Sequence, residues 1–216
     1  MKRIISAILF AALILSSLVL VSCGGKDSTP NFVTEGDKIV SEDGTKKYVI
    51  APMGFQPSGV GDLVAMRDGA FELHQIVDQQ GNLIDTDEWL TSEYGGSLST
   101  VYYRDDIALP AYDRMNYDAC YLCVEDVNIL SFAKIDDSDT IRTLIALIAN
   151  GKTVDYFEDD ATDRYTMKFS SPDFPAIMYS VDILVFEGRT VVFNRATGLY
   201  ADAGELIAEY LPDKNG

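Results

Sequence analysis

The first pair whose types and spacing invite chemistry is Cys120 and Cys123, in "YDACYLCVED". A C-x-x-C pair runs dithiol–disulfide chemistry when it sits at a helix N-terminus, where the dipole lowers the thiol pKa. Here Tyr121, Leu122 and Val124 give strand-like flanks. Residues three apart in a strand point to opposite faces, which makes a direct bond between the two sulfurs awkward. Zinc needs four ligands, and the chain offers one histidine and no second cysteine pair. The spacing favours two buried small side chains over a local disulfide, a redox pair or a metal site. His74 could act as a general base, but a lone histidine in a strand more often packs half-buried.

Three acidic clusters stand out: Asp85, Asp87 and Glu88; Asp136, Asp137 and Asp139; Glu158, Asp159, Asp160 and Asp163. Calcium takes such oxygens, yet the EF-hand spacing with its central glycine is missing from all three. They read as helix caps and solvated loops. A glycosidase needs only two carboxylates at the right separation, and nothing singles out a pair among 34 acids. Trp89, Tyr94, Tyr102, Tyr103 and Tyr112 could stack on sugars, and core packing is the expectation for most of them. There is no G-x-S-x-G elbow, and "PSGVG" at 57–61 does not replace one. No P-loop or dinucleotide fingerprint is present. No catalytic, cofactor or metal residue is therefore assigned, and the chain is expected not to be an enzyme.

The remaining cysteine, Cys23, closes a different kind of segment. Lys2 and Arg3 precede 18 residues, 4–21, interrupted only by three serines. A membrane-spanning helix needs about 20 apolar residues. A cleaved signal needs a positive start, an apolar stretch and small residues at the cut, and Ser22-Cys23 suits it better. The four residues "LVSC" resemble the lipobox of bacterial lipoproteins. That resemblance covers about the first 25 residues and implies a diacylglyceryl group on the Cys23 thiol, with cleavage just before it. Two acyl chains at about 0.8 kcal/mol per CH₂ hold on the order of 20 kcal/mol, a permanent attachment. An uncleaved signal anchor is the alternative.

Residues 1–22 are thus expected to be a lipoprotein signal peptide. Residues 23–36, rich in Gly, Ser, Thr and charges, are expected to be a lipidated tether. Residues 37–212 are expected to form a single α+β domain, with a possible subdivision near 136. Asp43-Gly44 marks a hairpin. Residues 51–62 read as a Pro/Gly loop. In 71–77 Phe71, Leu73 and Gln75 alternate with Glu72, His74 and Ile76. Residues 85–96 read as a capped helical turn stopped by Gly95-Gly96. Ile141, Leu144, Ile145 and Ile148 repeat at helical spacing, so an amphipathic helix is expected over 138–150. Asp137 or Ser138 would cap it, and Asn150-Gly151 would end it in a left-handed turn. Tyr165, Met167 and Phe169, then Ile177, Tyr179, Val181, Ile183 and Val185, form strand faces. A short helix ends the domain near Pro212. Short turns between strands imply a mainly antiparallel sheet.

Seventeen basic residues against 34 acidic ones leave a formal charge of −17. Without Lys2 and Arg3 the balance is −19. Such a surface repels phosphate backbones, so nucleic acid is not an expected partner. The function expected is a non-catalytic binding or regulatory module. It would be held by Cys23 on the extracytoplasmic side of the cell membrane or outer membrane, with a protein partner in the envelope. A carboxylate-pair envelope hydrolase, or a small-ligand or ion sensor, are the alternatives.

Overall fold

The structure is a computed structural model and describes residues 29–92, 99–124, 131–153 and 161–212. β-Branched and aromatic runs between glycine turns form a first group of strands: β1 (Asn31–Glu35), β2 (Lys38–Ser41), β3 (Lys47–Ile50), β4 (Phe55–Pro57), β5 (Val60–Arg67), β6 (Phe71–Ile76), β7 (Trp89–Ser92) and β8 (Thr100–Arg104). A second group comprises β9 (Ala119–Cys123), β10 (Ser131–Ile135), β11 (Asp163–Ser170), β12 (Ile177–Phe186), β13 (Arg189–Asn194) and β14 (Leu199–Asp202). Helix α1 (Ser138–Ala149) lies between β10 and β11, and α2 (Gly204–Ile207) follows β14.

Seven strands of the first group close into a barrel in the order β1-β2-β3-β8-β7-β6-β5. Closure abolishes the free edges of a small sheet. The seam is the parallel pair β1–β5, with Phe32 opposite Arg67. Asp68 locks it: its carboxylate accepts from the Thr34 backbone N–H at 2.8 Å and from the Thr34 hydroxyl at 2.6 Å. Asp68 and Gly69 both hold positive φ in the turn between β5 and β6. Phe32, Ile39, Tyr48, Ala65, Leu73, Leu90 and Tyr102 fill the interior.

The second sheet runs β10-β9-β11-β12-β13-β14, and β4 adds to it by pairing with β12. The main core lies on one face of this sheet. It gathers Cys120, Leu122, Met167, Phe169, Tyr179, Val181 and Ile183 from the strands, and Ile141, Leu144, Ile145 and Ile148 from α1. Trp89, Val101 and Ile76 from the barrel join the same core. Alternation sends their neighbours Leu90 and Tyr102 into the barrel instead. The barrel wall and the second sheet therefore share one hydrophobic layer, and residues from Asn31 onward pack as one unit.

The α+β expectation is overturned. Of the described residues 48% are in strands and 13% are helical, which makes this a mostly β fold built on a closed barrel. The helix expected over 138–150 does form, capped by Asp137, whose carboxylate accepts from the Thr140 N–H at 2.8 Å. It is one short cover on an otherwise β framework, as is α2. Three local readings change with it. The tether expected to reach residue 36 stops sooner, because 31–35 form β1. Its single buried anchor, Phe32, was too little apolar pattern to stand out. The loop at 51–62 carries β4 and the start of β5. Of the helical turn expected at 85–96, the described part is a single turn that runs directly into β7 at Trp89, and the Gly95-Gly96 stop lies outside the described residues.

Candidate functional site

The structure disperses most of the residues that could have done chemistry. Cys120 and Cys123 are buried in β9, and neither thiol is in a disulfide. Cys120 faces the main core, and burial pushes its thiol well above the usual range. Cys123 sits opposite Thr166 on the other face, as the three-residue spacing requires. His74 is half-buried in β6, with Nδ1 3.1 Å from the Gly61 carbonyl and Nε2 3.4 Å from Glu72.

The acids go to local structure. Asp85 accepts from the Asp87 N–H at 2.8 Å, and Asp87 pairs with Lys46. Asp139 meets Arg142 at 2.9 Å, and Asp136 meets Lys134 at 3.8 Å. Among the described residues no group of three His, Cys, Asp or Glu could hold a metal ion. Glu158, Asp159, Asp160, Tyr94 and Cys23 lie outside the described residues. Trp89 and Tyr102 are buried. Tyr112 stacks flat on Tyr179 with ring centroids 4.3 Å apart. Packing is what these rings do.

Two features were not legible in the sequence. The first is the far face of the second sheet. Strict alternation along β11 and β12 suggests a solvated side, yet Thr166, Lys168, Ser180 and Asp182 are buried there. The Arg195 guanidinium donates two hydrogen bonds to Asp182, Nε to Oδ2 at 2.5 Å and Nη2 to Oδ1 at 2.6 Å. This fork is the strong form of an ion pair. It borders a pocket of about 150 Å³ that also touches Val124, Arg164 and Thr166.

The second is a cavity of about 550 Å³ where α1 meets the β13–β14 hairpin. That volume lies within the range of small-ligand sites. Its construction follows from the end of the helix. The turn at Asn150 is not left-handed, since φ is −99°. Instead the Asn150 side chain donates to the Ala146 carbonyl at 2.7 Å. A Cβ on Gly151 would stand 3.0 Å from both Leu199 Cβ and the Tyr200 carbonyl, so a larger residue would have to push β14 back by a few tenths of an ångström. Lys152 then exchanges two backbone hydrogen bonds with Tyr200, at 2.8 and 2.9 Å.

The exit from α1 is thereby stitched to β14, and the helix flank with Thr143, Ala146 and Leu147 faces Val191 and Ala201 across the opening. Lys152 and Arg189 supply cations to this mainly apolar lining, and Asp202 supplies a carboxylate 3.3 Å from Arg189. Such a lining can hold an apolar body and orient it by charge. It contains no nucleophile with an adjacent base.

No protein-family model matches the chain, and no curated protein or solved structure matches it either.

Proposed function

We propose that the chain is a membrane-tethered binding module of a bacterial envelope. Cys23 carries the lipid, and the β domain engages another envelope component without chemical turnover. The LVSC segment supports the address. The observation that carries the binding role is the 550 Å³ cavity between α1 and the β13–β14 hairpin. The side chains best suited to catalysis, His74, Cys120 and Cys123, are meanwhile embedded in strand packing.

In the first reading the component bound is an envelope protein. In the second it is a small ligand, and the domain is a sensor. The apolar cavity favours the second specifically, because a preformed apolar pocket with few polar groups is what such a site needs.

A photoreactive residue placed at Ala146, on the cavity wall, tests the proposal in intact cells. The expected result is a discrete adduct that disappears when the probe is moved to Glu42, in the turn between β2 and β3. Hydrolysis of an envelope polymer by the purified protein would overturn the non-catalytic reading.

A further inference from the structure

We infer that the cavity at the C-terminal end of α1 is a binding site for an amphiphilic carboxylate, its apolar body against Leu147 and Val191 and its anionic head at Lys152. The inference rests on the small-ligand reading and adds the chemistry of the ligand.

Charge at the site carries the argument. The chain is strongly acidic, with 34 acidic and 17 basic residues, yet this opening has two cations and one carboxylate. Asp202 is committed to Arg189 at 3.3 Å, and its Oδ1 also accepts from the Gly204 N–H at 3.4 Å. Lys152 makes no ion pair with any carboxylate among the described residues. Its backbone is fixed by the two bonds to Tyr200, so the side chain starts from the rim of the opening.

The other polar groups are spent on the helix. The Thr143 hydroxyl donates to the Asp139 carbonyl at 2.8 Å, and the Asn150 amide donates to the Ala146 carbonyl. That leaves Lys152 as the cation of the lining with no ion pair among the described residues, beside a wall of aliphatic side chains. The opening spans about 550 Å³, within the range of small-ligand sites. A chain of eight to ten carbons fits such a space. A cation or a polyanion does not fit this pairing. The acidic remainder of the surface repels a polyanion, and Lys152 repels a cation.

Titration of the mature full chain in lipid nanodiscs with octanoate, octanol and octylammonium, followed through the methyl resonances of Leu147, Val191 and Ala201, tests this. Octanoate is expected to shift those methyls saturably. Lys152→Glu is expected to weaken octanoate by about three- to tenfold and leave octanol unchanged. Ala146→Trp, at an exposed helix position, is expected to abolish binding of both while the remaining spectrum stays folded. Octanoate and octanol binding equally, with no response to Lys152→Glu, would overturn the carboxylate assignment and leave an apolar site standing. Saturable shifts that survive Ala146→Trp would overturn the location. If no probe moves these methyls while a protein adduct forms from Ala146 in cells, the ligand inference fails and the protein-partner reading stands.

Discussion

Replacing Gly54 by alanine should cost far more than one methyl group usually does. Gly54 precedes β4, the short strand that carries the barrel half of the chain onto β12. Its φ is +97°, and a Cβ built there would lie 2.6 Å from Tyr179 Cε2 and 3.1 Å from Cζ. Tyr179 has nowhere to go. It is 1% exposed, stacked on Tyr112, edge-on to Phe55 and donating to Asn194 Oδ1 at 2.8 Å. Left-handed backbone costs an alanine about 1–2 kcal/mol, and overpacking a filled core adds about 1–3 kcal/mol. The expected loss is about 2–5 kcal/mol, a large part of a typical domain stability of about 5–15 kcal/mol.

Gly36→Ala is the control, because it shares a positive φ of 66° but meets nothing within 4 Å. It should lose only the backbone part. Urea denaturation at a slope of about 2 kcal/mol per molar should move the Gly54→Ala midpoint by about 1–2.5 M and the Gly36→Ala midpoint by about 0.5–1 M. Shortening Tyr179 to leucine in the Gly54→Ala background should recover part of the difference. Equal midpoints for the two alanine variants would refute the packing of β4 against Tyr179. With it would go the single core shared by barrel and sheet.

Two other outcomes follow from named side chains. Hydrogen bonds from Thr34 hold the Asp68 carboxyl below its ordinary value. Its contribution to folding is therefore complete above about pH 4 and is lost as the pH falls through the lower folded value. Asp68→Asn keeps a residue tolerant of positive φ. Its stability deficit relative to the unmodified protein should be largest near neutral pH and shrink toward pH 2, measured by denaturant titration at each pH. A constant deficit would show that the seam does not depend on the carboxylate. Cys120 and Cys123 are both 0% exposed, so a thiol reagent should label them only at the rate of unfolding and should find both in denaturant. Rapid native labelling would contradict their burial.

Much of the local structure was readable and the closure was not. The Asp43-Gly44 turn, the 141–148 apolar stripe and the alternation in β11 and β12 all follow from periodicity and turn chemistry, and they appear as expected. The barrel depends on β1 meeting β5 across more than thirty residues, a pairing that no local pattern encodes. The Asp68-Gly69 turn joins β5 to β6 but carries no sign that β5 also pairs with β1, and β5 begins inside a stretch dominated by Pro and Gly. The cavity was equally hidden. Lys152 and Arg189 are ordinary surface cations in sequence, and only the close approach of Gly151 to β14 brings them to one opening.

The tether is the premise on which every functional statement rests, and intact-mass spectrometry of the native polypeptide tests it most directly. The expected result is a chain beginning at residue 23, with its cysteine carrying a diacylglyceryl group, and a Cys23→Ala chain lacking any lipid mass. A polypeptide that starts at Met1 with an unmodified thiol at Cys23 would contradict the location and the envelope role together.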